Sequence, residues 1–311
     1  MNKQHQSSFS LKSTTISFLA QRIRHSGYLK VFELIEGAHK TSGIKPKTTF
    51  ITGPSGVGKS TIGQAYAEKY PFQEFDEYTY KPVIYVSLTE NATANDIKSH
   101  ILKALGDPAP YKARKGELSF RIENLIKKCF VELIIIDEIH RVLPAHTHIK
   151  AQVAADTIQS ISDSMKVPFV LIGLPDSIRL LQAKRQKDIT DQLVRRCRNS
   201  IELAPPNPRT QAWKNLINAY QRVLEKLSIA CIDLTSDELL DRMYLATEGL
   251  NGSISNIISE AIELKDSGEM IMLSDLKDAY IESTAKQLLS FNPFEIPARE
   301  INSYISVHLQ E

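Results

Sequence analysis

Gly53-Pro54-Ser55-Gly56-Val57-Gly58-Lys59-Ser60 is the stretch that decides the fold. It matches the spacing G-x-x-x-x-G-K-[S/T] at every fixed position. A chance match somewhere in a chain of this length is roughly 1% on average composition. The flanks make it more specific. Thr48 to Thr52 is β-branched and aromatic, which predicts a strand running into Gly53, and a helical pattern begins at Lys59. Strand, glycine loop and helix in that order bring backbone N–H groups together at a helix N-terminus, where phosphate oxygens bind. Lys59 then reaches the β- and γ-phosphates of a nucleotide, and the Ser60 hydroxyl is a ligand for Mg²⁺. Together with Thr61, these eight residues form the candidate nucleotide-binding set.

Working outward, three more apolar runs predict strands: Val83-Ile84-Tyr85-Val86, Leu133-Ile134-Ile135-Ile136 and Phe169-Val170-Leu171-Ile172. They do not alternate with polar residues, so both faces are expected to be buried, as in a parallel sheet. Helical periodicity separates them, through Ile97, Ile101, Leu102 and Leu105, then over 118–130 and 149–165. Strands alternating with helices predict an α/β fold, a parallel sheet sandwiched by helices. A further strand, Ser200 to Leu203, is closed by Pro205, Pro206 and Pro208. Beyond the prolines, 211–226, 236–246, 253–264 and 273–289 read as amphipathic helices with no convincing strand between them. The expected organisation is a flexible arm over 1–15, then the α/β domain over 16–206, whose lead-in is two short helices broken near Gly27. A small C-terminal helical lid follows over 207–290. Asn292-Pro293-Phe294 and Pro297 predict an extended tail over 291–311.

Composition narrows the function classes. The chain is 42% hydrophobic and 24% charged with a net charge of +2, which excludes disordered and fibrous classes. No apolar run approaches the roughly 18 residues of a membrane span, and Met1 to Ser10 lacks the apolar core of a signal peptide. A cytoplasmic protein with no membrane partner is expected. Cys129, Cys197 and Cys231 form no C-x-x-C pair, so they read as buried small side chains rather than a disulfide framework or zinc site. Near-zero net charge rules out a uniformly basic nucleic-acid coat and leaves local basic stripes.

The second chemical element is Asp137-Glu138, delivered by the run Ile134-Ile135-Ile136 to the carboxyl edge of the sheet, the edge that carries the phosphate loop. Asp137 suits the water shell of Mg²⁺, and Glu138 suits orienting and deprotonating an attacking water. His140 reads either as a polar cap of the strand end or as a relay. The cluster Arg195-Arg196-Cys197-Arg198 offers a guanidinium to a γ-phosphate from a neighbouring subunit, Arg196 first and Arg195 second. The alternative is a solvated helix end paired with Asp188 or Asp191. After the Phe169 strand, Asp176 or Ser177 stands where a polar sensor of the γ-phosphate is expected, or else caps the next helix.

Phosphate loop, Asp-Glu-Ile-His strand, arginine cluster and helical lid in this order resemble an AAA+ ATPase. Within that class the chain is most similar to TnsC/TniB transposition regulators. The residues that carry this are the helical lead-in, Ile97 to Pro108, Ile135 to His140, Val170 to Gly173 and Gln192 to Leu203, within about 16–265. The resemblance implies a bacterial, nucleoid-associated ATPase that uses ATP and Mg²⁺ and winds along duplex DNA as a ring or helical filament. It also implies that the protein receives a targeting factor, marks a site for the transposase and disassembles on hydrolysis. Two departures stand out. Gly249-Leu250-Asn251-Gly252-Ser253-Ile254 lacks the arginine usual in the lid, and Leu174 follows Gly173 where a polar sensor is usual. Both fit slow, partner-stimulated hydrolysis.

Candidate DNA contacts are Lys98, Lys103, Lys112, Arg114, Lys115 and Lys150, which suit phosphate tracking more than base readout; each also reads as an ordinary solvated cation. An initiator or helicase-loader ATPase and a nucleotide-gated scaffold with little turnover are the rival readings. Glu138, suited to activating water, disfavours a small-molecule kinase. Tyr28 is placed near the adenine by position alone. The tail around Phe294 reads equally as a docking peptide or as a segment packed back on the lid.

Overall fold

The computed structural model describes residues 11–112, 116–142, 148–178, 199–266, 268–283 and 291–308. The chain divides into two compact units, 27–204 and a second that joins the N-terminal residues up to 26 with 205–311.

In the first unit the strands are β1 (Thr48–Thr52), β2 (Gln73–Glu74), β3 (Thr79–Tyr80), β4 (Val83–Ser87), β5 (Leu133–Asp137), β6 (Phe169–Gly173) and β7 (Asn199–Glu202). The main sheet runs β4-β5-β6-β1-β7 with every neighbouring pair parallel. All residues of β5 and β6 are buried, as their unalternating apolar runs predict, and so are those of β1; in β4 Tyr85 is half-buried and Ser87 exposed. The helices of this unit are α2 (Ser26–His39), α3 (Lys59–Glu68), α4 (Ala94–Ala104), α5 (Glu117–Lys128) and α6 (His148–Met165). Phe50, Ile84, Ile134, Ile136 and Leu171 share a core with Ile97 and Ile101 of α4, Ile122 of α5 and Ile158 of α6. Residues of opposite parity turn to the other face. There Gly63 of α3 lies so close that a Cβ would meet Ile172 Cδ1 at 2.7 Å, Tyr85 Cε2 at 3.2 Å and Ile135 Cγ2 at 3.5 Å. The sheet is thus covered by helices on both faces, the expected α/β architecture.

Parallel strands put all their carboxyl ends on one edge. β1 there feeds the phosphate loop, β5 ends at Asp137, and β6 lies between them, with Thr52 opposite Gly173. Strand order reverses direction beside β1, the position at which ligands bind in open parallel sheets. The short β2–β3 hairpin was not legible in the sequence, because two-residue strands carry no periodicity.

The second unit holds α1 (Ser13–Leu19), α7 (Gln211–Lys226), α8 (Asp237–Thr247), α9 (Asn251–Leu264), α10 (Leu273–Glu282) and α11 (Ala298–His308). Trp213, Leu216, Met243, Ile257 and Leu276 form its core. Thr210 caps α7 by accepting from Trp213 N, and Trp213 Nε1 donates to Leu240 O at 3.1 Å.

Four expectations change here. The arm predicted over 1–15 is held from Lys12 onward: Lys12 N and Thr15 Oγ1 donate to Glu263, and Thr15 is buried. The first lead-in helix belongs with the C-terminal unit rather than the α/β domain, because Phe18 buries its ring among the lid residues and beside Tyr220. Cys231 and Ile271 form a single parallel bridge where no strand pairing was expected. The tail predicted as extended instead contains α11, with Ile301 and Ile305 packed on Leu245. Pro297 stands just outside that helix, where a missing N–H costs nothing. Phe294 is buried beside Tyr280, in a turn fixed by Phe294 N donating to Asn292 Oδ1 and Arg242 donating to Pro293 O. Of the two tail readings, the segment packed on the lid is the one observed, and a free docking peptide is not.

Cys129 is buried as expected; Cys231 is half-buried, and burial and Asp275 push its thiol up to about 12, which keeps it unreactive. Cys197 lies outside the described residues.

Candidate active site

The phosphate loop is shaped by glycines at two points. Gly58, at φ 103°, takes the left-handed conformation immediately before α3. A Cβ on Gly53 would collide with the backbone carbonyl of Leu203. Val57 is buried and anchors the loop, while Ser55 and Gly56 are exposed at its tip and Thr61 is exposed on the first turn of α3. Lys59 is only 8% exposed, and its Nζ donates to Gly53 O at 2.8 Å and Pro54 O at 2.7 Å. Burial lowers its pKa, and the charges of Asp137 and Glu138 act the other way.

Asp137 is buried, and its Oδ1 accepts from Glu138 N at 2.8 Å. Its Oδ2 accepts a short hydrogen bond from the Tyr85 hydroxyl. Burial, followed by the bond to Asp137, raises the Tyr85 pKa, so this group stays a protonated donor. Ser60 and Gln64, one turn apart on α3, act on the same hydroxyl in the opposite sense, toward a lower pKa. Tyr85 thereby links Asp137 to α3, the helix that carries Ser60.

Glu138 has φ 59°, a left-handed backbone that costs a non-glycine residue about 1–2 kcal/mol. The bond from Glu138 N to Asp137 and the turn closed by Arg141 N donating to Glu138 O hold it there. The side chain turns toward the His140 ring and the Arg141 guanidinium, with His140 Nε2 at 3.4 Å and Arg141 Nε at 3.6 Å from Oε2. Arg141 is itself tied to the residue just after β4 by donating to Leu88 O at 2.7 Å. His140 Nδ1 is buried without a hydrogen bond among the described residues. The sequence left His140 between cap and relay; the structure makes it a neighbour of the Glu138 carboxylate.

At the end of β6, Asp176 is exposed in the turn Pro175–Ile178, whereas Ser177 is fully buried with its Oγ against Gly173. Tyr28 is buried and stacks on Phe32 at 5.8 Å. In the lid, Asn251 opens α9 where an arginine was missed; its Nδ2 lies 3.0 Å from His25 Nε2, and its carbonyl accepts from Tyr220. Burial lowers the His25 pKa, which favours the neutral ring that accepts this bond.

Among the basic candidates, Lys103 and Lys112 are exposed, and Lys98 is half-buried with its Nζ donating to Ser119 at 2.9 Å. Lys98 is therefore engaged within the α4–α5 pair. Lys150 belongs to α6, but its side chain lies outside the described residues, as do Arg114, Lys115, Arg195 and Arg196. Sequence reasoning missed Tyr85, Arg141 and Gly63. A tyrosine in an apolar strand reads as core, and only the crossing of α3 over β4 shows where its hydroxyl ends.

A parallel sheet with a phosphate loop on one strand and an Asp-Glu pair two strands away, continued in the chain by a helical unit, defines a P-loop ATPase of the AAA+ class. Within it the chain belongs to the TniB family, transposition-associated AAA+ ATPases: the family described as Bacterial TniB protein matches residues 21–194. The fold is similar to that of the ORC2 protein of Aeropyrum pernix in its ADP form, at TM-score 0.58 and 14% identity over 89% of this chain and 74% of that one. The Walker-type ATPase of Pyrococcus abyssi is similar at TM-score 0.54 and 14% identity, over 95% of this chain and 80% of that one. A search of curated proteins gives no significant match. No helix among the described residues is long and apolar enough to cross a membrane.

Proposed function

We propose that this protein is an ATP-dependent, DNA-binding regulator of transposition. On this reading it assembles on duplex target DNA as a ring or helical filament, receives a targeting factor, and recruits or activates the transposase on the bacterial nucleoid. Hydrolysis drives disassembly. The observation that carries the reading is the TniB match across the residues that hold both the phosphate loop and the Asp137-Glu138 strand.

In this reading the loop N–H groups and Lys59 hold the phosphates, while Ser60 and Asp137 serve Mg²⁺. Their donor set fits that ion: one hydroxyl and one buried carboxylate, both hard oxygens, which would hold it together with the substrate phosphates and water. Mg²⁺ supplies neutralisation of the charge that builds on the β- and γ-oxygens. Glu138 accepts a proton as water attacks the γ-phosphorus; the bond to the β–γ bridging oxygen breaks, and ADP and phosphate leave. Arg196, or Arg195, from a neighbouring copy stabilises the developing charge, which links turnover to assembly. Lys103, Lys112, Arg114, Lys115 and Lys150, with Lys98 a weaker candidate, track DNA phosphates, and repetition around an oligomer makes weak contacts add.

Fluorescence anisotropy of a labelled duplex tests the nucleotide gate. At fixed salt, affinity with a slowly hydrolysed ATP analogue is expected to be at least about tenfold tighter than with ADP, and to fall steeply as salt rises. Equal affinity in both nucleotides contradicts the proposal.

A further inference from the structure

Gly63, Ser60 and Gln64 lie on one face of α3, three and four residues apart, and that face looks onto β4. Because Gly63 has no side chain, the Tyr85 ring lies flush against the helix, with Cε2 only 3.2 Å from where a Cβ would stand. The ring occupies that slot, against the face of α3 that carries Ser60, and ends in a hydroxyl that donates to Asp137. Ser60 comes from the helix after the phosphate loop and Asp137 from β5, two elements joined here by a side chain from a third strand.

We propose that Tyr85 is a positioning residue for the metal side of the site, holding the Ser60 hydroxyl and the Asp137 carboxylate in mutual register before Mg²⁺–ATP arrives. The inference rests on reading Ser60 and Asp137 as the Mg²⁺ side of an ATP site. Tyr85 itself is not a ligand. Its hydroxyl takes one lone pair of Asp137 Oδ2, and Glu138 N takes one of Oδ1, which leaves a lone pair on each oxygen for the water shell. Fixing the carboxylate in this way is how outer partners tune metal sites, and their loss typically costs about 10- to 100-fold in metal affinity or activity.

The test measures the affinity of the full-length protein for a fluorescent ATP analogue across a Mg²⁺ titration and in EDTA. Tyr85→Phe keeps the ring in its slot and removes only the hydroxyl. The half-saturating Mg²⁺ concentration is expected to rise about tenfold, with affinity in EDTA unchanged within about twofold. A purely structural role would move both values or neither. Should Tyr85→Phe fold poorly, Gly63→Ala places a methyl 2.7 Å from the end of the Ile172 side chain and 3.2 Å from Tyr85 Cε2, crowding the ring while keeping the hydroxyl, and the same selective rise is expected. Asp137→Asn separates the two levels of the argument. If it raises the Mg²⁺ requirement and the Tyr85 and Gly63 variants do not, the positioning role is overturned. If all three leave it unchanged, the Mg²⁺ reading of Ser60 and Asp137 falls, and this proposal falls with it.

Discussion

Lys59→Ala is expected to weaken ATP binding by about two to three orders of magnitude while leaving the fold intact. The ammonium is almost fully buried, points into the loop carbonyls of Gly53 and Pro54, and feels the charges of Asp137 and Glu138. With nucleotide bound, this ammonium would pair with the phosphates, and truncating one partner of such a buried charge pair across a binding interface costs about 3–5 kcal/mol, which is that range in affinity. Stability is expected to move little, since alanine is the best helix former at the start of α3 and no core residue of the sheet is touched. Titration with a fluorescent ATP analogue, alongside a thermal melt, checks both halves. An affinity within threefold of wild type would mean that this loop is not where the phosphates sit.

Glu138→Gln is expected to separate binding from turnover. Glutamine keeps the shape of the side chain and loses the proton acceptor, so the hydrolysis rate should drop about 10²- to 10³-fold with ATP affinity within about threefold. His140 and Arg141 lose a charged partner, but these pairs are partly solvated (side chains 25% and 35% exposed), so the stability cost should stay below about 1 kcal/mol. On duplex DNA the variant should form assemblies that outlast those of the wild type, because disassembly waits on hydrolysis. Phosphate release and DNA-complex lifetime measured on one preparation decide this. A scaffold with little turnover would show neither change.

Both effects arise in parts of the molecule that are legible in the sequence alone. G-x-x-x-x-G-K-S fixes a local geometry through its glycines and lysine, and the isoleucine run before Asp137 can only be a strand covered on both faces. What lies between those motifs was less legible. Tyr85 looks like one more apolar strand residue until α3, thinned at Gly63, crosses it. Arg141 follows a turn whose left-handed residue, Glu138, is not one that sequence preferences would place there. The burial of Phe18 and the choice between the two readings of the Phe294 tail were not legible for a related reason: packing against Tyr220 or Tyr280 depends on partners some 200 residues, or about one helix, away. Proline at 297 argued against helix, yet it stands just outside one. The arginine pair Arg195 and Arg196 keeps its role as a proposal from sequence.

The central claim is that nucleotide state gates assembly on DNA, and negative-stain imaging of the purified protein with linear duplex DNA tests it most directly. With ATP or a slowly hydrolysed analogue, rings or helical filaments should appear on the DNA, and with ADP or without DNA they should be absent. Particles that remain monomeric and free of DNA in every nucleotide state would contradict it.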